Sequence, residues 1–161
     1  MIRSWMPSDL PALAAIYGDG ETMRYIGKGY PNGLPPQRAG PALEKMAERY
    51  EREGIGIWPV VRKEDGRVIG ACGLQRLPSG TDVEIAFLFA RDFWGHGYAF
   101  EAAGAVLAFG FRDQRLPRIV AVANKFNARS ITLIHRLGMH FVGVVRAYQS
   151  DLLLYAKEAP A

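Results

Sequence analysis

Cysteine is almost absent from this 161-residue chain: Cys72 stands alone, which excludes an internal disulfide and fits a reducing compartment. It lies in an apolar strand pattern, where a small buried hydrophobe is its expected role. No apolar stretch reaches the roughly 20 residues of a bilayer-spanning helix. Residues 1–5 lack the basic-then-apolar layout of a signal peptide, so the expected location is cytoplasmic. No run of five or more like charges occurs, although the formal net charge is +4 and the isoelectric point about 9.4. Scattered basic residues argue against a nucleic-acid partner. Fifteen of the 20 are arginine, whose guanidinium grips phosphates and carboxylates bidentately; a basic face that draws in an anionic cofactor is the favoured reading. Histidine is scarce too. His96 lies in a predicted turn, and His135 and His140 straddle a predicted helix end, so no metal site is expected. No internal repeat or low-complexity segment divides the chain. A 49% hydrophobic content suffices for one domain over residues 1–161.

Periodicity and punctuation order the elements. Residues 2–5 read as a short first strand. Pro7-Ser8-Asp9 opens a helix to about residue 17, with Ser8 or Asp9 as N-cap. A short helical piece at 21–26 leads into a Gly/Pro-rich loop, 27–41, long enough to be functional. A helix at 41–52 ends at Gly54. Strands at 55–62 and 67–77 flank Lys63-Glu64-Asp65-Gly66, whose Asp-Gly pair is a hairpin signal. A third strand, 82–89, is apolar at successive positions, which predicts burial on both faces and a central place in the sheet. A long helix from about 95 to 112 carries small residues on one face, including Ala102, Ala103 and Gly110, and so can lie close to the sheet. A strand at 118–123, a helix at 127–137 capped by Gly138, and strands at 139–146 and 151–156 complete the chain. The order predicts a mixed α/β fold, an antiparallel meander followed by a βαβ unit.

The turn Trp94-Gly95-His96-Gly97-Tyr98-Ala99 joins the third strand to the long helix. Glycine permits positive φ and close backbone approach, and the first helical amides lack internal partners. Together they can cradle a phosphate; the plain alternative is a structural glycine corner. A Walker loop would need Lys followed by Ser or Thr after its last Gly, and none is present. A dinucleotide fingerprint would place Gly or Ala at position 100, where Phe100 stands, and three hairpin-linked strands precede the turn. Neither nucleotide fold fits.

Residues 84–102 resemble the cofactor-binding motif of the GCN5-related N-acetyltransferases, the GNAT superfamily: Gln or Arg, two residues, Gly, one residue, then Gly or Ala. Gly97 and Ala99 match its last two fixed positions. Trp94 stands where Gln or Arg is usual, a departure shared with the RimJ/RimL-type branch, which reads Trp-Gly-x-Gly-Tyr-Ala followed by Glu-Ala; here Phe100 precedes Glu101-Ala102. A second block, Asn127, Ser130, Leu137, Gly138 and Met139, resembles that branch's Asn-x-x-Ser helix, and Arg3, Trp5 and Ser8-Asp9-Leu10 resemble its opening. The resemblance covers nearly the whole chain.

It implies a GNAT-like fold: a central, mostly antiparallel sheet of about seven strands, flanking helices and a splayed βαβ cofactor site. It further implies acetyl-CoA as donor and a primary amine as acceptor, either a protein N-terminus or a small molecule, attacking directly in a ternary complex. The pantetheine arm would run along Phe87, Leu88 and Phe89, with an amide near Leu88 stabilising the oxyanion. The turn Trp94, Gly95, His96, Gly97, Tyr98 and Ala99 would hold the pyrophosphate. Asn127 would cap its helix and contact the pantetheine arm, with Ser130 beside it; Lys125 and Arg129 are further candidates for the phosphates, or solvated surface.

The acceptor must be neutral to attack. An α-amino group is roughly one tenth neutral at pH 7, a lysine amine only a few parts in ten thousand. Glu84 is the candidate base: it interrupts an apolar strand on the face of Ala86 and Leu88, where partial burial would raise its pKa. A structural carboxylate paired with an arginine is the alternative. Many GNAT enzymes use a Tyr four residues before the Gly of the second block to protonate the leaving thiolate. Here Ile134 stands there, and Ser130 is the candidate replacement, against the simpler role of a helix-start hydroxyl. That missing Tyr keeps a non-catalytic acyl-CoA-binding or regulatory domain in play; a ribosome-associated basic module would leave the phosphate turn unexplained. Trp5 and Trp58 read as core, whereas Tyr25 and Tyr30 lie near the loop where this fold builds its acceptor site. The chain begins almost inside its first strand, and a sheet edge exposed there would bear on stability and on formation of a homodimer.

Overall fold

A computed structural model describes residues 1–26 and 32–160. Helices α1 (Leu10–Gly18), α2 (Gly20–Met23) and α3 (Ala39–Glu53) precede a three-stranded meander, β1 (Ile57–Val61), β2 (Val68–Arg76) and β3 (Val83–Phe89). Helix α4 (Tyr98–Arg112), strand β4 (Arg118–Ala123) and helix α5 (Ala128–Arg136) follow, and the hairpin β5 (His140–Ala147) and β6 (Ser150–Glu158) ends the fold. The sheet order is β1-β2-β3-β4-β6-β5; β3 and β4 are parallel and every other pair antiparallel. The mixed α/β architecture is as expected, with six strands among the described residues in place of about seven.

The missing strand is the first. Within residues 2–5 only Ile2 bridges, to Val60. Beyond it the backbone is claimed locally. The Asp9 carboxylate takes Arg3 in a fork at 2.7 and 2.8 Å and accepts from the Met6 amide at 2.9 Å, while the Trp5 indole donates to the Ile57 carbonyl. Asp9 thus folds the opening back on itself, and a short 3-10 turn, Pro7–Asp9, runs into α1. Asp19 caps α2 through the Thr22 amide and hydroxyl.

Alternation places the helices on two faces. Successive strand residues point to opposite sides. Gln75 is bonded to Arg49 of α3, and a Cβ at Gly110 of α4 would lie 3.0 Å from the neighbouring Leu74, so α3 and α4 cover opposite faces of β2. That same Cβ would lie 2.5 Å from Ile119 of β4, so glycine is what lets α4 settle on the sheet, as the small-residue face predicts. The main core lies under α4 and α5, built from Leu74, Ile85, Val106, Ile119 and Ile134 among others. Cys72 sits within it, fully buried, and burial pushes its thiol up to about 12. A smaller cluster on the other face joins Leu77, Val120, Ala147, Leu152 and Ala156, with half-buried Val122, Val145, Tyr148 and Leu154 packed against it.

Strand β3 is central, yet its middle is not sealed on both faces: Ala86, Phe87 and Leu88 are half-exposed. The reason lies in its pairing. Along β2 it is matched from Val83 to Phe89, but along β4 only Glu84 opposite Val120 is in register. Beyond that pair the two parallel strands diverge.

Candidate functional site

The divergence leaves the β4-facing edge of β3 open from Ile85 to Phe89. At about 3.3 Å per residue this edge runs roughly 17 Å from Glu84 to Phe89. Unpaired strand backbone is a template for hydrogen bonds to an extended ligand. Of the residues picked from sequence for the pantetheine arm, Phe87 and Phe89 turn their backbone groups to this edge, whereas Leu88, opposite Ala71, turns its own toward β2.

At its far end is the glycine turn. Gly95 and Gly97 have φ of +79° and +85°, and a Cβ at either would meet nothing within 4 Å, so the turn faces open space. Helix α4 starts at Tyr98 with no side-chain cap, and Glu101 N to Gly97 O, 3.0 Å, closes its first turn. The amides before Glu101 are the helix's unsatisfied donors, at the positive end of its dipole. Tyr98 and Ala99 are half-buried at this start, and the exposed His96 stacks on Tyr98.

Trp94 ties the turn to its surroundings. Its indole N–H donates to the Phe89 carbonyl at 2.8 Å, fixing the turn to the end of β3. Its ring carries the Arg129 guanidinium 4.7 Å from the centroid. A cation from α5 therefore stands at the motif position where a tryptophan replaces Gln or Arg. Asn127 caps α5, its Oδ1 accepting from the Ser130 amide at 3.2 Å; the bond engages the Ser130 amide and not its hydroxyl. Lys125 sits 5.0 Å over the exposed Phe126 ring. An anion-binding turn, an open strand edge and a nearby guanidinium suit a long ligand that is anionic at one end, as coenzyme A is.

Glu84 marks the near end, where β3 and β4 meet. It is 2% exposed. Its Oε1 accepts from Gln75 Nε2 at 2.6 Å and from the Tyr148 hydroxyl. Gln75 Nε2 also reaches the Tyr148 oxygen at 2.8 Å, and Arg49 Nη1 donates to Gln75 Oε1 at 2.8 Å. Burial raises the Glu84 pKa, opposed by the bonds from Tyr148 and Gln75 and by the Arg49 charge. Tyr148 is driven far above its ordinary range, by burial first and then by Glu84. So the carboxylate expected to be partly buried is wholly so, and arginine reaches it through an amide.

Two clusters therefore emerge. Trp94, Phe89 and Arg129 are joined at the cradle, with Asn127 and Ser130 on the first turn of α5; Glu84 belongs with Arg49, Gln75 and Tyr148, residues that sequence reasoning passed over. Gln75 was findable in principle, since it stands opposite Glu84 across a hairpin. Tyr148 was signalled only by the two-residue link, Tyr148-Gln149, between two strands. Trp58 is half-buried, outside both core clusters, and packs edge-on against Phe109 and the exposed Tyr50. Tyr25 is half-buried, and Tyr30 lies outside the described residues. No helix among the described residues is long and apolar enough to cross a membrane.

A family model described as an acetyltransferase (GNAT) domain matches residues 1–140. The uncharacterized N-acetyltransferase YoaA of Bacillus subtilis (strain 168) is 29% identical over 150 residues, covering 92% of this chain and 83% of its own. Among solved structures, an acetyltransferase of the GNAT family from Bacillus anthracis matches with a TM-score of 0.81 at 24% identity, over 98% of this chain and 93% of its own. RimL, a ribosomal L7/L12 α-N-protein acetyltransferase solved in complex with coenzyme A, also gives 0.81, at 14% identity and the same two coverages. At these identities the solved structures speak for the fold.

Proposed function

The chain belongs to the GNAT family of acetyltransferases, which take acetyl-CoA as donor, and from that premise we propose that it acetylates a primary amine in the cytoplasm by direct attack within a ternary complex. The observation that carries the reading is one continuous feature. A positive-φ glycine turn at the start of α4 and a buried carboxylate at Glu84 terminate the same open edge of β3.

Bound acetyl-CoA supplies an activated acetyl thioester. The amides of Gly95 to Ala99, with Arg129 over Trp94, hold its pyrophosphate; the backbone of Phe87 to Phe89 aligns its arm. An amide near Leu88 polarises the thioester carbonyl. Glu84 serves as general base. Burial, the larger influence, raises its pKa toward the working pH, which is where a base is most effective. Ser130, at the start of α5, donates to the departing sulfur in place of the tyrosine that Ile134 replaces. An α-amino acceptor, the kind named for RimL, asks least of such a base.

The test is release of free thiol from acetyl-CoA across a panel of N-terminal peptides and small amines, together with the shift in melting temperature caused by coenzyme A. The expected result is a thermal shift and amine-dependent thiol release. A chain that binds coenzyme A but acetylates nothing in the panel would be an acyl-CoA-binding domain. If Glu84→Gln and Ser130→Ala both leave turnover unchanged, their catalytic roles are wrong while the donor assignment stands.

A further inference from the structure

Glu84 is sealed at 2% exposure, so something must stand between it and an incoming amine. Resting on the reading of Glu84 as base, we infer that Tyr148 is a catalytic residue: its hydroxyl touches the acceptor and passes the acceptor's proton to Glu84.

The hydrogen bonds determine which way each group points. Arg49 donates to Gln75 Oε1, so the Gln75 amide must turn its NH2 toward the other two. That NH2 has two protons, and it spends them on Glu84 Oε1 and on the Tyr148 oxygen. Because the Tyr148 oxygen accepts from Gln75, its own proton is directed at Glu84. A phenolic oxygen has one proton and two lone pairs. One lone pair is occupied by Gln75, and among the described residues nothing donates to the other, which is left for a donor arriving from outside. An ammonium N–H is such a donor. Tyr148 is half-buried, whereas Glu84 is not accessible.

The backbone points the same way. Tyr148 and Gln149 form the two-residue turn between β5 and β6, with φ of +51° and +63°. Such a turn favours Asn-Gly, because both central residues sit in the left-handed region. A tyrosine there is an unfavourable choice for the turn itself, and strain of this kind persists where the side chain is required. Tyr148 packs against the buried cluster of Leu77, Val120, Ala147, Leu152 and Ala156, on the face of the sheet that carries Glu84.

The step balances as follows. The acceptor ammonium gives one proton to the Tyr148 oxygen as the Tyr148 proton moves to the Glu84 carboxylate, leaving Tyr148 neutral and Glu84 protonated. The neutral amine then forms the N–C bond to the acetyl carbon, the C–S bond breaks, and the second amine proton goes to the thiolate. Glu84 returns its proton to solvent through Tyr148 once the product has left. Tyrosinate never accumulates, in keeping with the raised Tyr148 pKa.

Tyr148→Phe keeps the ring and its packing and removes only the relay. Its kcat/KM should be followed from pH 6 to 10 with an acceptor found in the amine panel, beside the thermal shift by coenzyme A. The shift should be unchanged and kcat/KM at pH 7 should fall about tenfold for an α-amino acceptor, which is about one tenth neutral there. The deficit should close as pH approaches the acceptor's pKa, where the amine arrives already neutral. Glu84→Gln should show the same pattern, and the double variant should be no worse than either single one. Tyr148→Phe with wild-type kcat/KM at pH 7, or with an equal loss at every pH, overturns the relay; if Glu84→Gln still shows the pH-dependent loss, the base survives without it. If Glu84→Gln is also unaffected, base and relay fall together. Thermal shift without any acetyl transfer by the wild-type chain would overturn the catalytic reading and the relay with it.

Discussion

Replacing Gly97 with alanine separates a glycine needed by the turn from one needed by the ligand. Gly97 has φ of +85°, and an added Cβ would meet no protein atom within 4 Å. The folding cost is therefore conformational. An L-residue in the left-handed region costs about 1–2 kcal/mol, partly offset because alanine restricts the unfolded chain by about 0.4–1 kcal/mol. A net loss of about 1 kcal/mol lowers the melting temperature by roughly 2–4 °C at this size. Gly138 is the internal control. Its φ is +74°, and its added Cβ would lie 3.1 Å from the Lys157 ammonium, which donates to the Leu137 carbonyl, so Gly138→Ala should cost at least as much. Binding should divide the two. A methyl at Gly97 occupies the open space that a phosphate would fill, and loss of one hydrogen bond to a charged group, about 1.5–3 kcal/mol, weakens affinity about ten- to hundredfold. Calorimetric titration with coenzyme A at fixed salt, paired with thermal melts, reads both quantities. If Gly97→Ala melts lower but keeps its affinity within about twofold, as Gly138→Ala should, then the turn is a structural corner and the phosphate site lies elsewhere.

Glu84→Gln has a second readout in stability. Burial raises the Glu84 pKa, so the native state holds this proton more tightly than the unfolded chain. Its contribution is full below the unfolded pKa and is lost as pH rises through the folded one. Glutamine does not titrate, so the variant's melting temperature relative to wild type should climb between pH 5 and 8 even as kcat/KM at pH 7 falls, about tenfold with an α-amino acceptor; a relative decline would contradict the burial account. Arg129→Ala removes the guanidinium over Trp94, and coenzyme A should bind about three- to tenfold more weakly, with the difference shrinking as salt rises. A salt-independent change in dissociation constant would point to lost packing on Trp94.

Much of the architecture was legible because it is local. Residues 118–123 form β4 as read, and Gly138, φ +74°, ends α5 where a C-terminal cap was expected. The glycine turn was legible for the same reason: two glycines, a strand before and a helix after occupy one short stretch. The first strand was misread because residues 2–5 satisfy a strand pattern while Asp9, just downstream, captures Arg3 and the Met6 amide. Strand β3 was read as sealed because composition reports how apolar a strand is, not how far its neighbour stays beside it.

By itself the sequence determined the class of fold, the glycine turn proposed to hold the donor's phosphates and the single carboxylate that breaks an apolar strand. These follow from periodicity, from glycine's access to positive φ and from the oddity of a charge among hydrophobes. Only the tertiary structure decided that β3 parts from β4 after one register pair, and that Arg49, Gln75 and Tyr148 converge on Glu84. Those four residues come from a helix, two strands and a hairpin turn. No local pattern encodes their meeting, because the register of a six-stranded sheet brings them together.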